Sequence, residues 1–154
     1  MDRQEREKKE EYLNQYRDNV RYIHRLTEEI AELRELKMSA SAVANDGMPR
    51  GGDQRDLSDY MVRIDSMIQD RENEFRKRVM LFDDILKKIK SLKNQNEDDV
   101  MFYKYIRRKN FAEIAEKMNY SERHTRRIHN KALEHLRIPE EDENEKPEKH
   151  TQIS

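Results

Sequence analysis

The chain has no cysteine, which removes disulfides, thiolate zinc sites and cysteine nucleophiles together. Helix breakers are almost as scarce. All three glycines, Gly47, Gly51 and Gly52, share one short window with Pro49, and the other two prolines, Pro139 and Pro147, lie near the C-terminus. Residues 1–46 and 53–138 hold neither type, and such breaker-free stretches read as helix. Apolar residues are few, at 34% against roughly 45–50% in ordinary domains. No run approaches the ~18 apolar residues of a membrane span. The opening Met1-Asp2-Arg3-Gln4-Glu5-Arg6 lacks the apolar centre of a signal peptide. A soluble, cytoplasmic protein with no membrane partner is the expectation.

What the chain has instead is charge, 42% of its residues against about 25% normally. Long helices covered in charge, each burying only a narrow apolar seam, account for that balance without one large core. The net charge of −1 identifies no partner, so its distribution has to carry the information.

The expected fold is all-α: a long, coiled-coil-like N-terminal helical hairpin followed by a three-helix module. In the first block Leu13, Tyr16, Val20, Ile23, Leu26, Ile30, Leu33 and Leu36 recur at steps of three and four, predicting a helix over about 5–38. Residues 39–57 read as a linker. A second helix is predicted from Ser58, taken as its N-cap, with a stripe of Met61, Ile64, Ile68, Phe75, Phe82, Ile85, Ile89 and Leu92 broken at Arg71 and Arg78. This gives a hairpin block over 1–96, a module over 97–137 and an acidic tail over 138–154 that should be disordered. The long helices suit homodimerisation, docking on a partner, or simple bracing of the module.

The module carries the chemistry. A first short helix holds Val100, Met101, Tyr103 and Ile106, and Arg107-Arg108-Lys109-Asn110 connects it to a second, Phe111-Ala112-Glu113-Ile114-Ala115-Glu116-Lys117-Met118. Asn119-Tyr120-Ser121 forms the turn, because Asn tolerates the left-handed conformation and Ser121 caps the third helix. That helix runs from Glu122 to about Leu136, with Thr125, Ile128, Ala132, Leu133 and Leu136 inward. The pattern is that of a helix-turn-helix, whose third helix would lie in a major groove. Glu122, Arg123, Arg126, Arg127 and Asn130 are left facing outward as candidate base readers, since Arg suits guanine, Asn adenine, and Glu cytosine. Arg107, Arg108 and Lys109 in the connection are candidate phosphate clamps, and Ser121 and Lys131 complete the candidate DNA-binding set. Residues 100–137 hold ten Lys/Arg against four Glu, a surplus of six positive charges, while 138–154 hold six acids against two lysines. A positive module attracts phosphate, so double-stranded DNA is the expected partner.

The run Phe111-Ala-Glu-Ile-Ala-Glu-Lys-Met-Asn-Tyr-Ser121, with Arg126-Arg-Ile128 and Lys131-Ala-Leu133, resembles the promoter-reading helix-turn-helix of sigma-70-type factors. The whole chain resembles the small sigma-like regulators of phages and prophages, the ArpU-like late-gene group. Met48-Pro49-Arg50-Gly51-Gly52 with Leu57-Ser58-Asp59-Tyr60 is similar to the linker between their long helices. The resemblance implies binding upstream of a phage operon in a bacterial host, with the host RNA polymerase as a further partner. No segment resembles the part of sigma factors that melts the −10 element. Two alternatives remain open: a DNA-packaging adaptor like a small terminase subunit, and a helical adaptor that binds polymerase without reading DNA.

Other constellations point nowhere. His24, His124, His129 and His135 lack the i, i+4 pairing with a glutamate of a zinc helix, and Gly47-x-x-x-Gly51-Gly52 lacks the Lys-Ser/Thr ending of a phosphate loop. Asp83-Asp84 and Asp98-Asp99 read as charged surface or helix capping rather than catalytic pairs. No metal, no cofactor and no enzymatic activity are expected.

Overall fold

A computed structural model describes residues 1–44 and 53–139. The glycine-rich window and nearly all of the acidic tail lie outside the described residues. The chain is all-α. It consists of α1 (Arg3–Ala44), α2 (Asp53–Lys90), α3 (Gln95–Met101), a π-helical turn (Phe102–Ile106), α4 (Phe111–Met118) and α5 (Glu122–His135). Among the described residues there is no strand, and no helix is long and apolar enough to cross a membrane.

Both long helices extend further than their apolar stripes predict. Ser39-Ala40-Ser41-Ala42 continues α1, because nothing there breaks a helix and Ala40 is buried. Ser58 lies inside α2 rather than capping it. The acids Asp56 and Asp59 near the start of α2 favour its positive end. The break at Asn94 is used as a cap: its side chain accepts from the backbone of Asn96 (2.9 Å) and Glu97 (3.2 Å), starting α3 ahead of the acids at 98 and 99.

Two compact units result, and each cuts through the long helices. One is Asp18–Phe82 and the other joins Met1–Arg17 to the chain from Asp83 onward. In the first, α1 and α2 run antiparallel. Asn19 Nδ2 donates to the Arg78 carbonyl (2.7 Å), Arg71 pairs with Glu29 (3.0 Å), Arg34 with Glu72 (2.7 Å) and Lys37 with Asp65 (2.6 Å). Leu26, Ile30, Leu33, Ala40 and Ile64 are buried. The arginines that interrupt the α2 stripe therefore still face the seam. Arg71 meets a carboxylate there, and Arg78 lies 4.5 Å over the Tyr22 ring while pairing with Glu74.

In the second unit the short helices share a core with the ends of the long ones. Leu13 and Ile85 are fully buried, as are Val100, Met101, Ile114, Ala132 and Leu133, with Ile89 and Leu92 nearly so. A three-helix module of about 40 residues has too much surface for its volume to stand alone comfortably, and the long helices supply what it lacks. Lys9, itself 3% exposed, donates from Nζ to the Leu133 carbonyl (2.9 Å). It thereby satisfies a carbonyl at the negative end of α5.

Because Leu13 is fully buried in the unit that holds the short helices, Leu13→Ala should destabilise the fold by about 2–5 kcal/mol. Urea unfolding monitored by circular dichroism measures it. A loss under about 1 kcal/mol, well below the range for a buried leucine, would mean the module does not depend on α1.

Candidate nucleic-acid interface

The turn between α4 and α5 is assembled from local chemistry. Asn110 caps α4 in a reciprocal box: its side chain accepts from the Glu113 backbone (2.8 Å), while the Glu113 carboxylate accepts from the Asn110 backbone (3.3 Å). Asn119 ends α4 in the left-handed conformation at φ 57°, and the Tyr120 amide returns to the Ala115 carbonyl (3.0 Å). Ser121 then caps α5, its hydroxyl accepting from the His124 amide (3.1 Å). Val100 from α3, Ile114 from α4 and Ile128 from α5 meet in one cluster, with Tyr103, Met118 and Tyr120 packed against it.

All five predicted inward residues of the third helix, Thr125, Ile128, Ala132, Leu133 and Leu136, are buried. Burying them turns Arg123 and Arg127 to the exposed face, with Asn130 half-buried beside them. Among the described residues neither arginine makes an ion pair. Lys131, Arg107 and Arg108 are also exposed, and Lys109 is half-buried, 3.7 Å from the Glu113 carboxylate.

Arg126 departs from the expectation of a freely projecting base reader. It stays half-exposed but bonds Glu122 one turn back (2.9 Å), and its guanidinium lies 4.5 Å over the Phe111 ring. At about 100° per residue, it stands on the flank of α5 toward the start of α4. Glu122 faces solvent but is engaged by Arg126. The pair is an exposed i, i+4 contact, worth only about 0–1 kcal/mol, so it yields readily to a better partner.

The connection between α3 and α4 is unusual. The helix widens into a π turn, with the Arg107 amide reaching the Phe102 carbonyl (3.1 Å) and the Lys109 amide the Tyr103 carbonyl (2.9 Å). Arg108 is then left-handed at φ 59°, a conformation that disfavours any side chain bearing a Cβ. Such π turns concentrate at functional sites.

Sequence reasoning missed a polar pair in the core. The Tyr105 hydroxyl and His129 Nε2 share a 2.7 Å hydrogen bond, and their rings stack at 5.7 Å. Position 129 continues the inward period of α5, a signal that a residue type usually met at the surface conceals. Burial, followed by the positive charges of Lys104 and Arg6, pushes the His129 pKa down to about 4; an Asn130 hydrogen bond opposes this, and Arg126 adds to it. Burial likewise pushes the Tyr105 hydroxyl well above its usual value. Both groups are therefore neutral at pH 7. Lys104 and Phe111, also unsuspected, meet only through the fold, with Nζ 4.4 Å from the ring centroid.

These local geometries generate two expected outcomes. Relieving the left-handed strain, Arg108→Gly should raise stability by about 0.5–1 kcal/mol, the gain reduced by glycine's extra unfolded-state freedom; chemical denaturation reads it directly. For His129, the unfolded chain binds a proton near pH 6.5 while the folded one resists until about 4. Stability should therefore hold above pH 6.5 and fall as pH drops toward 4, by up to about 3 kcal/mol. Unfolding curves at pH 7 and pH 4.5 test this, and equal stabilities beside an acid-sensitive His129→Gln protein would contradict it.

No curated protein and no solved structure gave a match to this chain. Residues 94–137, by contrast, match the family description "Sigma-70, region 4". That stretch covers α3, the π turn, α4 and all of α5, and the family it matches is one of DNA-binding, regulatory helix-turn-helix regions.

Proposed function

We propose that this protein is a sequence-specific, DNA-binding transcription regulator that inserts α5 into the major groove of a duplex. The observation that carries the reading is the outer row of α5. Arg123, Arg127 and Asn130 come after a serine cap, face away from a buried inner row, and lie inside the sigma-70 region 4 match. A recognition helix presents bases with that part of its surface, and arginine and asparagine are the residues best suited to guanine and adenine. Arg107, Arg108, Lys109, Ser121 and Lys131 stand beside it as phosphate contacts, while Glu122 restrains Arg126 until DNA arrives.

The likeness to small sigma-like regulators supports a place in the bacterial cytoplasm, at a phage or prophage operon, alongside the host RNA polymerase. The hairpin supports self-association. Leu36 and Val43 lie seven and fourteen residues past Glu29, and Met67 and Tyr60 four and eleven before its partner Arg71. All four are exposed and share the flank that this ion pair marks. An exposed apolar patch bordered by charge is the kind of surface a second copy covers.

The full-length chain should select one duplex site from a randomised pool and release it steeply as salt rises. Arg123→Ala and Arg127→Ala should each lose about 1–3 kcal/mol of discrimination at one base pair. Anisotropy titrations against single-base variants of the selected site give the values. Unchanged selectivity in the double mutant defeats the groove assignment. Light scattering tests the assembly: a dimer agrees with regulation, whereas a ring of many subunits would favour DNA packaging instead.

A further inference from the structure

Two cations converge on one aromatic ring at the junction of the π turn, α4 and α5. Lys104 Nζ lies 4.4 Å and the Arg126 guanidinium 4.5 Å from the centroid of Phe111. The ring is held in place from below, where it meets His129 edge to face at 5.1 Å. Arg126 has Glu122 as an exposed partner. Lys104 has no carboxylate within ion-pair distance among the described residues, although it is half-buried. Burial pushes its pKa down, Glu10 draws it back up, and the like charges of Arg108 and Arg126 push it down again. A cation that has lost part of its hydration, and whose close contact is a ring face with no carboxylate at ion-pair distance, has room for an anion.

The position of this pair limits the anion to one kind. Arg126 stands on the flank of α5, about a quarter-turn from the buried row, whereas Arg123 and Arg127 occupy the outer face. When α5 lies in a groove, its outer face meets base edges and its flank meets the sugar–phosphate wall. Lys104 reaches the same ring from a different element, so two elements each bring a cation to Phe111. We infer that Lys104 and Arg126, converging on Phe111, form a binding site for a backbone phosphodiester of duplex DNA. Arg126 then holds α5 in register and reads no base. Lys104, a residue of the π turn and not of the helix-turn-helix proper, becomes part of the interface. The Phe111 ring is a positioning residue that keeps both cations extended and close. The inference rests on the DNA-binding function proposed for α5.

The test uses the full-length chain, the duplex it selects and a scrambled duplex of equal length, titrated by anisotropy from 50 to 200 mM salt. A phosphate contact should contribute to both duplexes alike and to the salt slope. The double variant Lys104→Gln/Arg126→Gln should bind both duplexes more weakly by the same factor. Its salt slope should flatten by about 0.9, so that it loses about threefold less affinity than the wild type over that range. Lys104→Arg should keep the slope, and a far-UV spectrum equal to the wild type's shows that the loss is not unfolding. Two results overturn the site: an unchanged slope in the double variant, or loss of discrimination at one base pair by Arg126→Gln with the slope intact. A wild-type chain that binds neither duplex overturns the regulator reading itself, an outcome distinct from both.

Discussion

Burial of one face of α5 is the constraint on which everything functional here depends. The helix has 14 residues and buries Thr125, Ile128, His129, Ala132 and Leu133. With 3.6 residues per turn, fixing that row leaves the helix a single rotation. Arg123 and Arg127 must then look outward, and Arg126 must fall on the flank against Phe111. No side chain on the outer face needs its own support, because the inner face has already chosen its direction. Ser121 adds the start point: its cap on the His124 amide decides where helical phase begins, so a slip of one residue would rotate every arginine by about 100°.

That face could not be buried by the helix-turn-helix alone. The compact unit that holds α5 also buries Leu13 from the first helix and Ile85 and Ile89 from the second. Lys9 reaches the Leu133 carbonyl at the other end of the same helix. Capping at one end is thus local, from Ser121, and at the other is long-range, from a residue 124 positions away in sequence. The ends of the long helices are structural parts of the DNA-binding unit, whatever partner their remaining length serves. This explains why a module matching residues 94–137 comes with helical segments on which it rests.

How much of this was readable from residues alone depended on the range of each interaction. The turn was legible because Asn119 and Ser121 act within three residues of themselves, and the inward row because it repeats at helical period. The boundaries of the long helices were not. Large apolar residues at helical spacing end near Leu36 and Met61, while the backbone continues as helix until something breaks it. Arg71 and Arg78 looked like interruptions of a buried stripe. On the seam they keep their stems against apolar neighbours and their heads on Glu29 and Glu74, a compromise open to a long amphipathic side chain. His129 and Tyr105 were invisible as a pair because 24 residues separate them. The contact of Arg126 with Phe111 was hidden for the same reason, since the ring sits on another helix.

The two units also differ in how completely they pair their charges. Along the hairpin, cations are matched to anions both within a helix, as in Arg25–Glu29 and Arg78–Glu74, and across it, as in Arg34–Glu72 and Lys37–Asp65. Such exposed pairs add little stability each, but they cancel the field that a highly charged rod would otherwise project. In the unit that holds α5 that cancellation is incomplete: Lys109 and Arg126 pair with Glu113 and Glu122, while among the described residues the outer arginines do not. Arg123 and Arg127 have no acidic partner among the described residues, Lys104 and Arg126 crowd one ring, and Arg108 holds a disfavoured backbone conformation. Like charges gathered this way weaken the compact state through self-repulsion. A polyanion laid along the surface converts that repulsion into attraction and releases its own condensed counterions as it does so. Along the hairpin the paired charges leave a polyanion less to hold, so on the proposed function the duplex meets the unit that carries α5.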